Sequence, residues 1–430
     1  MKEEVQDRAL TGGRGDTQRH ADLLLGESDV AYQRRSGEGA RAAFLRLLDR
    51  SLRDVRYRVT WPGGSAIAGS PEAHVEGTLA FHDLSAFSAV LAYGNLGLGE
   101  AFADEKVSIA GTALESVLTA LLRNRVDQGV GRDGRLAFHA LFRRVSDLLR
   151  GNARNVRSHY DLGDDLFEAF LDDSMTYSCG YALTGEDSLE DLQRQKLERV
   201  CQKLRLVPGE RLVDIGCGFG GLLLHAARNH GVSGVGVTLS ERHAARAKER
   251  VADAGLEHRI EIRCADFRSL EGPFHKVASV GMLEHLRAGE YRGYFRKIAA
   301  LLRPGGLALV HAIGCGASRN VHDPFIQKYI FPGSSQPKLS EIAGELERHG
   351  LALLDVENLL RHYAPTGERW LARYRENHRS LDPARYPPRF QRLFEYYLAC
   401  VVAAARASDG AVYQVLFTND WASERPWKRV

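Results

Sequence analysis

Two places in the chain gather residue types that can do chemistry. The first is SVGMLEHL, residues 279–286, a short apolar run of the kind that forms a strand, which ends in Glu284 and His285. An acid and an imidazole side by side in so unexposed a segment need a reason that packing does not supply. His311 lies inside a second apolar run, LALVHAIG, and on an adjacent strand it can face one pocket with Glu284. Upstream, DSMTYSCGY supplies Tyr177, Ser178 and Cys179; downstream, LLRHYAPT supplies Tyr363. Taken singly, a buried His or Cys is more often packing than chemistry. Spacing along the chain does not assemble them.

The second place is RLVDIGCGFGG, residues 211–221. Gly216, Gly218 and Gly220 let the backbone turn tightly and approach a ligand, and the helix that follows offers free amides at its start. Dinucleotide enzymes put pyrophosphate on a similar turn. Here Asp214 stands just before the glycines, where it would repel phosphate and attract an ammonium or sulfonium group. That favours S-adenosylmethionine over NAD. Asp266, closing IEIRCADF, can accept a hydrogen bond from an adenine amino group. The run VTLS lacks the acidic residue that usually grips ribose hydroxyls, which leaves Thr238 and Ser240 for weaker polar contacts.

These groups meet only if their elements end at a common edge. RLVDIG, GVSGVGVTL, IEIRCADF, KVASVG and LALVHAIG have the length and branching of buried parallel strands, and helical stretches such as SERHAARAKERVADAG separate them. This βαβ rhythm implies an α/β sheet covered on both faces, whose ligands gather beyond the carboxyl ends of the strands. LALLDVENL and AVYQVLFTN can complete the sheet. Between them runs a long, largely helical segment rich in Tyr, Trp and Arg, expected to form a wall or lid.

At 430 residues the chain is long for one domain. Residues 1–35 are polar and Gly-rich and read as a flexible arm; 36–148 read as a small α+β unit that binds or docks something, or is merely structural; 149–430 read as the catalytic domain. With 44% apolar and 26% charged residues, the composition is that of a soluble globular protein. No run reaches the roughly 18 apolar residues of a membrane span and the N-terminus has no signal-peptide core, so the expected location is the cytoplasm. A formal charge of +3 is too small to imply nucleic acid. The Arg cluster RNVRSHY suits either an approach to anionic head groups or a solvated surface. Six cysteines never fall into a C-x-x-C pair, so neither a disulfide framework nor a metal site is expected.

HYDLGDDLFEAFLDDSMTYSCGY, DIGCGFGG, SVGMLEHL, LVHAIG, DPFIQKYIFPG and HYAPT together resemble the cyclopropane-fatty-acyl-phospholipid synthase family, with the mycolic acid cyclopropane synthases as relatives. The likeness covers roughly residues 150–420, and YGNLGLGEAFADEKVSIAG is similar to the family's N-terminal lipid-binding domain. It implies a Rossmann-like class I methyltransferase fold, with a seven-stranded mostly parallel sheet, a smaller N-terminal domain and a helical lid. It also implies a bicarbonate ion held by Cys179, Glu284, His311, the backbone around Ile313, and Tyr363. Gly216, Gly218 and Asp266 match cofactor contacts, with Tyr177 and Ser178 near the methionine part.

The reaction so implied adds the sulfonium methyl to a cis-unsaturated acyl chain of a phospholipid. The resulting carbocation closes a cyclopropane ring once a proton is lost. Aromatic rings such as Tyr181 and Phe325 are candidates to stabilise that cation. Three other readings stay open: a methylene- or methyl-branched product, with a partner reductase for the methyl branch; small-molecule methylation; and a noncatalytic lipid-binding protein. The resemblance further implies a homodimer docked peripherally on the membrane's inner face. Pro365 and Gly367 depart from the family's wording, and because proline disfavours a helix interior, the helix near Tyr363 is expected to begin later.

Overall fold

A computed structural model describes residues 37–132, 162–316 and 323–422. The expected N-terminal arm, the helical run LAFHALFRRVSDLL, the Arg cluster RNVRSHY and the first residues of the HYDLGDD motif lie outside the described residues. The described chain divides into two compact units. Most of the first is residues 37–101 and 105–110. The second holds 102–104, 111–127 and all that is described from Leu162 on.

The first unit is a four-stranded sheet in the order β2-β1-β3-β4, formed by β1 (Arg56–Trp61), β2 (Gly64–Gly69), β3 (Val75–Phe81) and β4 (Val107–Ala110). β1 and β3 are parallel, and the outer pairs are antiparallel. Its core forms because Phe44, from helix α1 (37–51), and Phe87, from α2 (Ser85–Tyr93), close on Phe81 of β3. Phe81 stacks on Phe87 at 3.8 Å between ring centres, and Phe44 meets it edge-on at 5.3 Å.

The second unit is built on β5 (Arg211–Ile215), β6 (Ser233–Thr238), β7 (Ile260–Cys264), β8 (Phe274–Val280), β9 (Leu302–Cys315), β10 (Ala352–Asn358) and β11 (Gly410–Thr418). Their order is β10-β11-β9-β8-β5-β6-β7. Strands β7, β6, β5, β8 and β9 are parallel, while β11 runs antiparallel to both β9 and β10. The chain progresses outward from β5 through β6 to β7, then returns to β8 on β5's other side. The carboxyl ends of β5 and β8 therefore flank the crevice where ligands of open α/β sheets bind.

Alternation along the strands assigns each residue to a face. Val213, Ala308, Val310 and Val415 pack under Tyr294, Phe295 and Ile298 of α3 (Tyr291–Leu301) and Ile342 and Leu346 of α4 (Leu339–Arg348). Leu212, Leu309 and Leu416 face Leu197, Val200 and Cys201 of α5 (Leu189–Lys203), several leucines of α6 (Gly221–His230), and Ala247 and Val251 of α7 (Glu241–Asp253). Two positions along from those leucines, Asp214, His311 and Gln414 share the α5 face, each at most 3% exposed. The insertion between β10 and β11 is two long helices, α8 (Leu360–Asn377) and α9 (Pro388–Ala407).

Pro365 sits inside α8, which begins before Tyr363 rather than after the proline. The expected later start is thus corrected. Burial of Tyr363, Thr366, Trp370, Leu371 and Tyr374 along one side offsets the lost backbone bond. Gly367 lets the helices close: a Cβ there would lie 3.1–3.2 Å from Val401 and Val402 of α9.

Candidate active site

The segment 172–182 is clamped from several sides, which gives Tyr177, Ser178 and Cys179 fixed places. Asp172 accepts from the backbone of Ser174 (2.9 Å) and Thr176 (3.1 Å). Arg250 of α7 donates to the Ser174 and Phe219 carbonyls, tying this loop to the glycine turn. Gln193 of α5 donates to the Ser178 carbonyl (2.8 Å), and Lys196 donates to the Ser178 hydroxyl (2.9 Å). From α8, Thr366 accepts from Gly180 N and His362 from Ala182 N.

At the chemistry end, β8 stops at Val280, and a 3-10 turn, Leu283–His285, turns Glu284 inward and His285 outward. One carboxylate oxygen of Glu284, Oε1, accepts from Ile313 N at 3.2 Å; the other, Oε2, is buried with no partner. Burial pushes this carboxyl up to about 7, so near neutrality it is poised between the ionised form and a protonated donor. His311, one pleat before Ile313 on the same face, is pushed down to about 3 by burial and by the charges of Lys196 and Lys203, and is a neutral imidazole. The Gln414 amide lies 3.2 Å from its Nδ1. With that amide donating, Nε2 carries the hydrogen.

Burial also holds the Tyr363 phenol protonated, and the fields of Tyr397, Cys179 and Glu284 reach it. The Cys179 thiol is raised by burial too and points at the Gly180 and Leu359 carbonyls, which makes it a pocket wall rather than a thiolate nucleophile. Cys179, Glu284, Ile313 and Tyr363 thus come together, whereas the His311 ring turns to Gln414. Tyr177 and Tyr397 share a 2.6 Å hydroxyl contact, and the Tyr177 ring stands 5.4 Å from Trp370 and 6.4 Å from Phe331. The rings expected to serve a cation lie elsewhere. Tyr181 is stacked on His362 at 4.2 Å and under the Arg199 guanidinium at 4.4 Å, and Phe325 packs against Tyr329 and Tyr396.

At the cofactor end, Gly216 (φ 85°) and Gly218 (φ 51°) adopt left-handed conformations. A Cβ at Gly216 would lie 3.0 Å from Met282, while Gly218 opens onto free space. Gly220 caps α6. Asp214 is 3% exposed, and its Oδ1 has no partner. Burial pushes it up to about 7 against the pull of Lys196. Lys196 is itself driven down to about 8 by burial, with Asp172, Cys179 and Asp214 opposing. An orphaned carboxylate oxygen beside an open glycine turn fits a ligand that brings a cationic nitrogen.

Three polar residues expected here have local tasks. Thr238 accepts from Ser240 N (3.2 Å), the Ser240 hydroxyl caps α7 by accepting from His243 N, and Asp266 accepts from Arg268 N (2.8 Å) and pairs with its guanidinium. Sequence reasoning missed Lys196, Gln193, Gln414 and Tyr397. The signal for the first two was a Gln and a Lys at apolar-face positions of DLQRQKLERV, and for Gln414 a lone amide inside the apolar run AVYQVLFTN.

The profile of a family described as mycolic acid cyclopropane synthetase matches residues 148–415. The chain belongs to that family. It is 37% identical over 359 residues to the cyclopropane-fatty-acyl-phospholipid synthase of Escherichia coli K12, covering 83% of this chain and 90% of that one. It is 33% identical over 392 residues to the tuberculostearic acid methyltransferase UfaA1 of Mycobacterium tuberculosis, covering 86% and 89%. The solved cyclopropane synthase MmaA2 of M. tuberculosis superposes with a TM-score of 0.58 at 28% identity, over 61% of this chain and 97% of that chain. CmaA1, solved with SAH and CTAB, gives 0.55 at 28% identity, over 61% and 97%. The fold is the Rossmann-like class I methyltransferase fold, and the chain is an S-adenosylmethionine-dependent methyltransferase of a family that works on fatty-acyl chains.

Proposed function

We propose that the enzyme converts the cis double bond of an unsaturated phospholipid acyl chain into a cyclopropane ring. The observation that carries this reading is the orphaned Oε2 of Glu284, with the protonated Tyr363 phenol in its field and the neutral His311 one pleat before Ile313, whose amide holds the other oxygen. S-adenosylmethionine supplies an electrophilic methyl group, and bicarbonate, when bound, supplies a proton acceptor. Asp214, with the turn Gly216–Gly220, would hold the cationic methionine end of the former, with Tyr177, Ser178, Thr238, Ser240 and Asp266 along its length. Glu284, His311, Tyr363, Cys179 and the Ile313 backbone would hold the latter. The fit rests on charge: a neutral phenol, a neutral imidazole and a carboxyl near 7 that an arriving anion draws into its protonated form favour a small anion and, having no full positive charge, leave it basic.

An alkene is nucleophilic without a base. It needs a dry place for the cation formed at the neighbouring carbon and the loss of one proton there. Tyr177, Tyr397, Trp370 and Phe331 provide apolar faces beside the donors and exclude water. A second reading, a methylene-branched chain later reduced by a partner, is favoured by likeness to the tuberculostearic acid methyltransferase. The proposal extends to a homodimer working peripherally on a phospholipid surface at the cytoplasmic face, with residues 36–148 as the docking domain. The test is to incubate the protein with S-adenosylmethionine and vesicles of cis-monounsaturated phospholipid, then read the mass and double-bond content of the released chains. A gain of one CH₂ with loss of the alkene supports the ring. A gain with the alkene retained supports branching, and no gain contradicts both.

A further inference from the structure

Among the described residues, one cluster of metal-ligating side chains stands apart from the catalytic groups. Glu198 and Cys201 lie three residues apart on α5 and so share a face. His225 and His230 come from α6. One donor atom each from Cys201, His225 and His230 lies within 4.8 Å of the other two. Glu198 Oε2 is 3.0 Å from His225 Nε2 and 3.1 Å from His230 Nε2. Cys201 is fully buried, while the side chains of His225, His230 and Glu198 keep 13%, 18% and 34% exposure. The cluster is therefore closed on the core side and reachable from solvent.

We propose that Glu198, Cys201, His225 and His230 form a binding site for a zinc-class divalent cation that locks α5 onto α6. One thiolate, two imidazoles and one carboxylate are a donor set that zinc takes in tetrahedral sites. Bond lengths of about 2.0–2.1 Å to nitrogen and oxygen give tetrahedral N···O edges of roughly 3.3 Å. The two Glu198–imidazole separations already approach that edge. The sulfur, with edges of roughly 3.6 Å, has to close by little more than about 1 Å, a distance that side-chain rotation supplies.

Without an ion, Glu198 serves as acceptor for both imidazoles. Coordination removes one proton, from the Cys201 thiol, and moves each imidazole hydrogen from Nε2 to Nδ1. For His225 the receiving partner is in place: the Asn229 amide is 3.1 Å from Nδ1 and can offer its oxygen after a flip. Because α5 also carries Lys196 and Gln193, which hold Ser178, an ion here would stiffen the support of the catalytic loop.

The experiment strips the full-length protein with a chelator and titrates it with Zn²⁺ alone against a chromophoric competitor, then with Co²⁺ while recording absorption. The expected result is one equivalent per chain, a thiolate-to-cobalt charge-transfer band, and a higher thermal midpoint with zinc. Cys201→Ser should lose the band. His230→Gln, at the open end of α6, should keep the native circular dichroism and bind at least about tenfold more weakly. Uptake below one equivalent by the wild-type protein, or uptake unaffected by both substitutions, would overturn the assignment.

Discussion

The two ends of the catalytic cleft each bury a carboxyl group at the end of a parallel strand, and they treat it differently. Asp214, near the end of β5 before the glycines, lies in the field of a buried cation, Lys196, and keeps one buried oxygen without a hydrogen-bond partner. Glu284, after β8, has among the described residues no cation that pulls on its carboxyl; its partner is the Ile313 amide, and the Tyr363 phenol lies in its field. Burial lifts both to about 7. The balance then depends on what arrives. A cationic ligand beside Asp214 draws it toward the ionised form, whereas an anion beside Glu284 draws it toward the protonated form. On the proposed reading, one end becomes a counter-ion and the other a hydrogen-bond donor.

Removing the donor should have the largest effect. Glu284→Gln is expected to lower acyl-chain modification by about 10²- to 10⁴-fold while leaving S-adenosylmethionine binding, read by calorimetry, nearly unchanged. Asp214→Asn should do the converse, weakening S-adenosylmethionine binding by roughly 10- to 100-fold, in line with about 1.5–3 kcal/mol for a hydrogen bond to a charged group. Wild-type affinity should fall as the pH drops through about 7. Lys196→Met, by removing the opposing positive charge, should shift that fall to higher pH. Gln414→Leu leaves Nδ1 of His311 without its donor, so kcat should drop by about tenfold with KM for S-adenosylmethionine unchanged.

The smallest effect concerns stability without ligands. Asp214 and Glu284 have folded pKa values raised from 3.8 and 4.5 to about 7. Between those limits the folded chain keeps protons that the unfolded chain has shed, and stability falls as pH rises. His311, lowered from 6.5 to about 3, contributes the opposite slope across that interval. His225, His243, His275, His285 and His362 are lowered by burial as well and add to that opposite slope, so the carboxyl contribution is read by difference: the stability of wild type relative to Glu284→Gln should fall from pH 5 to pH 7. Glu284→Gln should be the more stable of the two at pH 8, by about 1–2 kcal/mol.

The contrast between the ends also explains what could be read without coordinates. Asp214, the glycines and the strands around them follow from local pattern, because a turn between strand and helix is specified within a dozen residues. Glu284 and His311 were legible as polar residues in apolar runs. Their neighbours were not. Gln414 meets His311 only through the antiparallel pairing of β11 with β9, and Lys196 reaches Ser178 only because α5 packs across that face of the sheet. Tyr181 and Tyr177 are equivalent in sequence, both aromatic and both beside Cys179. The clamp by His362 and Arg199 turns one away, and the hydroxyl of Tyr397 holds the other with Tyr363 in range. Long-range packing decided these, and periodicity carries no record of it. Cys201 and the two imidazoles are a further case, since 24 and 29 residues of chain separate groups that lie within 4.8 Å.

The most direct test of the donor end is turnover in buffer freed of carbon dioxide, with S-adenosylmethionine and cis-monounsaturated phospholipid vesicles. The account predicts that modification of the chains falls sharply, returns when bicarbonate is added, and fails to return in Glu284→Gln. Turnover that is indifferent to bicarbonate in the wild-type enzyme would contradict the reading of Glu284, His311 and Tyr363 as the cradle of an anion.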